Sequence, residues 1–164
     1  MKVLAIDPGY ERLGVAVVEK PEVGKEVLLY SDCFRTSSKD DFKERLFQIG
    51  AEVERVIKEY SPDALAIEQL FFNTNQKTVM YVAEVIGAIN YICKKNNLLT
   101  FEYTPLQIKN AVSGYGRSTK EQVAKMVPQL IEIRKEIKLD DEYDAIAIGL
   151  TCLASELPVY SRAN

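Results

Sequence analysis

The sequence predicts an α/β fold, with a mixed five-stranded sheet of three antiparallel and two parallel strands flanked by helices. Three observations predict it. Two apolar, Val/Ile/Leu/Ala-rich runs, Lys2–Ile6 and Asp63–Ile67, read as buried strands, and each runs into one acid, Asp7 and Glu68. Turn chemistry at Pro8-Gly9-Tyr10-Glu11 and Pro21–Gly24 folds the first three strands into an antiparallel meander. Strand, helix and strand then follow without a hairpin turn, which requires a crossover and a parallel partner.

The elements follow in order. Leu13–Val18 and Lys25–Arg35 complete the meander. From about Asp40 to Tyr60, Phe42, Leu46, Ile49, Val53, Val56 and Ile57 recur at helical spacing, and Ser61-Pro62 ends that helix. After Asp63–Ile67, the loop Gln69–Asn75 leads to a helix from about Gln76 to Lys95. Its apolar residues form two stripes, Val79, Val82, Ala83, Ile86, Ile89 and Cys93 in one and Val85, Ala88 and Ile92 in the other. That is about twice the width one sheet face needs, which fits a central core helix or one that also packs on a partner subunit. Leu98–Tyr103 is the fifth strand. Pro105 sits as a first-turn residue for a short helix, Gln107–Val112. Ser118 or Thr119 caps the next helix, which Pro128 kinks or breaks. Asp140 or Asp141 caps the last one, which runs to about Glu156. The chain reads as one domain over residues 1–164, with a core to about 157 and a short tail, 158–164.

Composition narrows the chemistry. With no histidine, Ser-His and Cys-His catalysis and most zinc sites are excluded. Cys33, Cys93 and Cys152 are an odd number with no close spacing and read as reduced, mostly buried residues. No apolar run is long enough to span a bilayer and no signal-peptide pattern opens the chain, so a cytoplasmic location is expected. The net charge of −3 hides a basic segment, in which Lys109, Arg117, Lys120, Lys125, Arg134, Lys135 and Lys138 precede the acids Asp140, Asp141, Glu142 and Asp144. Such a local basic surface suits a polyanion.

Crossover geometry sets Asp7 and Glu68 side by side at the carboxyl edge of the sheet, where open sheets with parallel strands bind ligands. Asp141 and Asp144, three apart, lie on one helix face. Four carboxylates drawn together repel unless hard cations join them. Magnesium resolves this, with manganese as a substitute, and two ions about 4 Å apart clamp both reacting oxygens of a phosphodiester. By elimination, the nucleophile is a metal-activated water. Taken singly, Asp7 also fits a turn residue, and Asp141 and Asp144 fit cap residues.

These residues also carry a resemblance. Ala5-Ile6-Asp7-Pro8-Gly9 with Leu13-Gly14-Val15-Ala16, then Ala66-Ile67-Glu68-Gln69-Leu70-Phe71-Phe72, resemble the RuvC family of Holliday junction resolvases. Glu102-Tyr103-Thr104-Pro105-Leu106-Gln107-Ile108-Lys109, Val112-Ser113-Gly114-Tyr115-Gly116, Lys120-Glu121-Gln122-Val123, Met126-Val127 and Asp141-Glu142-Tyr143-Asp144-Ala145 continue it along nearly the whole chain. The resemblance implies a ribonuclease H-like fold and a homodimer. It implies magnesium-dependent, symmetrical nicking of four-way DNA junctions in recombination and repair, alongside the RuvA and RuvB branch-migration proteins.

Position by position, the resemblance makes Asp7, Glu68, Asp141 and Asp144 the catalytic metal ligands, with Asp140 a spare acid that remains open as the ligand. It places Lys109 and Lys120 near the DNA backbone and the scissile phosphate. Phe71 and Phe72, on the loop after Glu68, suit stacking on opened bases or a plug beneath the loop. Asn73, Asn75, Lys77 and Arg117 are further candidates for DNA contact. Two positions depart from the family pattern. Ile86 replaces an arginine, and Thr151-Cys152-Leu153 stands where a histidine is frequent.

Other readings compete. Asp7, Gly9, Arg12, Gly14, Val15 and Ala16 also fit the RuvX (YqgF) type, an RNA-acting relative, but the Glu68-Gln69 segment favours RuvC. A sugar-kinase-like phosphate module needs a second D-x-G half that is missing. A catalytically silent junction binder does not need the full set of acids.

Overall fold

The computed structural model describes residues 1–70 and 76–163, without the side chains of residues 76–77 and 157–163. Its strands are β1 (Lys2–Asp7), β2 (Arg12–Glu19), β3 (Glu26–Arg35), β4 (Ala64–Glu68), β5 (Leu99–Tyr103) and β6 (Ile131–Glu132). Its helices are α1 (Phe42–Tyr60), α2 (Gln76–Lys95), α3 (Pro105–Ser113), α4 (Lys120–Leu130) and α5 (Asp140–Ala163).

The sheet order is β5-β4-β1-β2-β3-β6. The antiparallel meander and the parallel β1–β4–β5 group are as expected. The strand number is not. β6 adds a sixth strand, pairing in parallel with Glu26 and Val27 of β3. A two-residue strand has no periodicity to read, and its place is set by α4, whose end brings Ile131 into the core.

Side-chain alternation divides the core into two layers. Leu4, Ile6, Val15, Val17, Leu65 and Ile67 pack with α1 and α2. Val3, Ala5, Ala16, Val18 and Ala66 pack with α3, α4 and α5. Helix α5 lies very close to the sheet. A Cβ on Gly149 would come within 3.1 Å of Ala5 Cβ and 2.6 Å of a Val18 methyl, so only glycine fits there.

Several boundaries move. Ser61 ends α1 in the left-handed conformation, as Ser61-Pro62 predicts. Thr119 caps α4, which passes through Pro128 and ends two residues later. Helix α5 begins at Asp140, so Asp140 and Asp141 are first-turn acids rather than caps. It also continues past Glu156 to Ala163. On α2, Val79, Val85, Ile89 and Cys93 are buried, whereas Ala83 is exposed. All three cysteines are free and buried. Among the described residues, no helix is long and apolar enough to cross a membrane.

Candidate active site

The same alternation aims the strand-end acids. Asp7 follows Val3 and Ala5 on the α5 face of β1, and Glu68 follows Ala66 on that face of β4. β1 and β4 pair in parallel through Ile6 and Ile67, so the next residues, Asp7 and Glu68, are neighbours. Gly14 pairs with Asp7 across β1 and β2. A Cβ there would run into the carbonyl oxygen of Asp141 and reach 3.1 Å from Asp7 Cβ. The missing side chain therefore lets the first turn of α5 descend onto the sheet beside Asp7.

A cleft of about 190 Å³ opens at this point. Asp7, Glu68, Asp144, Lys109 and Lys120 line it, with Ile108 and Val123 on its apolar wall. Thr104 caps α3 through a reciprocal capping box with Gln107, and Thr119 caps α4 likewise with Gln122. These caps fix the helices that carry Lys109 and Lys120. Lys120 Nζ donates to Asp144 Oδ2 at 2.6 Å.

Burial, then the neighbouring charges of Glu68 and Asp144, push the Asp7 carboxyl up to about 7. Glu68 is also raised, by burial first and by Asp144 second, and it shares a hydrogen bond with Asp7. Crowded carboxylates that hold protons near neutrality are short of positive charge. Their oxygen donors suit a hard divalent cation. Among the described residues, no three His, Cys, Asp or Glu side chains already form a finished cation cage. Two basic side chains pair with the acids instead, Lys120 with Asp144 and Arg12 with Asp141.

The structure separates Asp140 from Asp141. The Asp140 side chain is 71% exposed, against 18% for Asp141. The charge of Asp141 is among those that raise the Asp7 carboxyl. Arg12 bridges both, reaching Asp140 Oδ1 at 3.1 Å.

The remaining expected residues fall outside the cleft or outside the description. Arg117 is exposed on the α3–α4 connection. Phe71, Phe72, Asn73 and Asn75 lie outside the described residues, as does the side chain of Lys77. Ile86, which replaces the family arginine, lines a second groove with Glu68, Gln69, Leu70, Ala83 and Glu102.

Sequence reasoning missed two supports. One is Arg12, read only as part of a motif. The other is Glu142, buried beside the acids. It accepts from Ser31 Oγ at 2.7 Å, Lys135 Nζ at 2.6 Å and the backbone N–H of Lys138 at 3.2 Å. Burial works against its charge, but the bonds from Lys135 and Ser31 outweigh this and hold its carboxyl below the usual range. The network ties β3 and the segment before α5 to the turn that bears Asp141 and Asp144. No sequence signal sets Glu142 apart from Asp140, Asp141 and Asp144, the other acids of this helix start.

The family model for crossover junction endodeoxyribonuclease RuvC matches residues 3–152. A RuvC of that description from Thermosipho melanesiensis is 43% identical over 157 residues, 95% of this chain and 98% of the relative. One from Caldicellulosiruptor saccharolyticus is 38% identical over 159 residues, 97% of this chain and 96% of the relative. The solved structure of Thermus thermophilus RuvC in complex with a Holliday junction substrate superposes with a TM-score of 0.86 at 32% identity, covering 99% of this chain and 96% of that one. The cleft, the sheet order and these matches agree along nearly the whole chain: it belongs to the RuvC family of crossover junction endodeoxyribonucleases.

Proposed function

We propose that the protein resolves Holliday junctions by nicking two strands symmetrically, in recombination and repair. The observation that carries this reading is the meeting of Asp7, Glu68 and Asp144 with Lys109 and Lys120 in one cleft. The catalytic set is Asp7, Glu68, Asp141, Asp144 and Lys120. The four acids hold Mg2+, with two ions per site and Mn2+ as a substitute. Bound there, the metal supplies the Lewis acidity that activates water and offsets charge on the leaving oxygen.

The chain's own residues supply the rest. Asp7 and Glu68 present their oxygens from rigid strand ends, so the donors need no reorganisation. Lys120 places an ammonium at the cleft wall, where it balances the charge of a scissile phosphate. Lys109 and Arg117 attract the DNA backbone. Phe71, Phe72, Asn75 and Lys77 contact the opened strands near the junction centre. Departure of the 3′ oxygen leaves 5′-phosphate and 3′-hydroxyl ends.

Paired cuts need two copies. On α2, Met80, Ala83, Gly87 and Tyr91 form an exposed stripe at helical spacing, and Phe47 is exposed on α1. A second copy covers this stripe and makes the homodimer. The chain acts as a single nuclease domain in the cytoplasm, and RuvA and RuvB deliver the junction.

A synthetic mobile four-way junction, incubated with protein and Mg2+ beside duplex DNA and an RNA–DNA hybrid, tests this reading. Symmetrical nicks in the junction alone are expected. Cutting of the hybrid in preference to the junction would overturn it in favour of an RNA-acting relative.

A further inference from the structure

Arg12 opens β2, where its backbone pairs with Arg35 of β3. From this fixed point its side chain reaches the first turn of α5. One nitrogen, Nη2, serves both Asp141 Oδ2 and Asp140 Oδ1. Asp141 is the inner carboxylate, whose charge bears on Asp7. Asp140 is the outer one, and it lies largely in water. The guanidinium therefore sits on a carboxylate assigned to the metal site, beside a second carboxylate that is not. A cation at Asp141 opposes a metal ion there, because like charges a few Å apart repel even in a half-solvated site. A swing of the same nitrogen away from Asp141 and onto Asp140 reduces the opposition and keeps the arginine paired throughout.

We infer that Arg12 is a metal-gating latch, which occupies Asp141 in the metal-free protein and passes to Asp140 when a divalent cation loads. This rests on the assignment of Asp7, Glu68, Asp141 and Asp144 as the metal site. Arg12 here is a positioning residue that acts through Asp141. The extra acid then has a role: Asp140 receives the arginine. An exposed ion pair at Asp140 is weak, so the latch sets the metal concentration at which the site fills and does not block it.

Titration calorimetry with Mn2+ alone, without DNA, tests the latch. Arg12→Gln binds Mn2+ more tightly than the unaltered protein, on the order of tenfold for one charge removed nearby. Asp140→Asn binds it more weakly, because Asp141 is then the one carboxylate left to Arg12, beside its hydrogen bond with Cys33. In the double variant Asp140→Asn has no further effect, since its influence passes through Arg12. Melting curves establish that each variant is folded, and the Asp140 variant leaves every strand and the cleft lining untouched. Equal or weaker Mn2+ binding by Arg12→Gln overturns the latch. So does an equal loss from Asp140→Asn with and without Arg12, which would make Asp140 a plain contributor of charge. If the unaltered protein binds no Mn2+, the metal-site assignment itself falls, and the latch with it.

Discussion

Lys120 Nζ stands 2.6 Å from Asp144 Oδ2 and so joins the start of α4 to the first turn of α5 across the cleft. Asp144 and the hydrogen bond to it hold the lysine protonated above its ordinary range. In the proposed mechanism this lysine stabilises charge that develops in the reaction. Lys120→Ala is expected to slow junction cutting about 10²-fold, the scale for losing one pre-placed charge stabiliser. Single-turnover rates against junction-binding titrations check this, with binding expected to change far less than the rate.

Asp7 and Glu68 make the metal-free protein sensitive to pH. Both carboxyls are raised in the folded state, Asp7 to about 7. The folded protein thus binds more protons than the unfolded chain between the ordinary carboxylate range near 4 and about 7. Their contribution to stability is full below that window and is lost as pH rises through it, by a few kcal/mol at most, on the order of 1.4 kcal/mol per pH unit for Asp7. Denaturant melts from pH 4 to 8 without metal should show this decline. Asp7→Asn should flatten it, as should a saturating divalent cation.

Gly14 sets the height of α5 above the sheet. Alanine at this position meets the Asp141 carbonyl oxygen and crowds Asp7. Gly14→Ala is expected to cost about 1–3 kcal/mol and to lower cutting beyond what its stability loss explains. A melting curve and a cutting assay well below the melting temperature separate the two effects.

The Glu142 network should matter to stability. Glu142→Ala takes the carboxylate from buried Ser31 and from the end of Lys135, which is exposed and keeps its bond to the Ser31 carbonyl. A loss of about 1–3 kcal/mol is expected, the scale for removing the acceptor of a buried donor. Urea unfolding measures it.

The α2 stripe carries the dimer prediction. Tyr91→Arg places a charge in the exposed row of Met80, Ala83, Gly87 and Tyr91. Light scattering is expected to show a monomer that stays folded, against a dimer for the unaltered chain.

Much of this site was legible because its parts are local. An apolar run that ends in an acid marks a strand end, and strand alternation alone aims Asp7 and Glu68 at one face. The three-residue spacing of Asp141 and Asp144 marks one helix face. The supports were not legible, because they join distant segments. Arg12 and Asp141 are 129 residues apart, and Ser31 and Glu142 are 111 apart. No periodicity in the chain announces such pairs. β6 escaped for a different reason, since two residues cannot show a period. The start of α5 was placed one or two residues late, because aspartate suits both the cap and the first turn of a helix and composition does not separate the two.

The central claim is that the acids at this cleft perform the cutting, and Asp7→Asn tests it most directly. The substitution keeps the size of the side chain and relieves the repulsion with Glu68, so the protein should fold and bind a four-way junction as before. With Mg2+ present, its junction cutting is expected to fall by at least about 10³-fold, the scale for losing an essential catalytic group. Retained binding with cutting abolished is the result that follows from the account. Cutting at near the unaltered rate would contradict it and place the active site elsewhere.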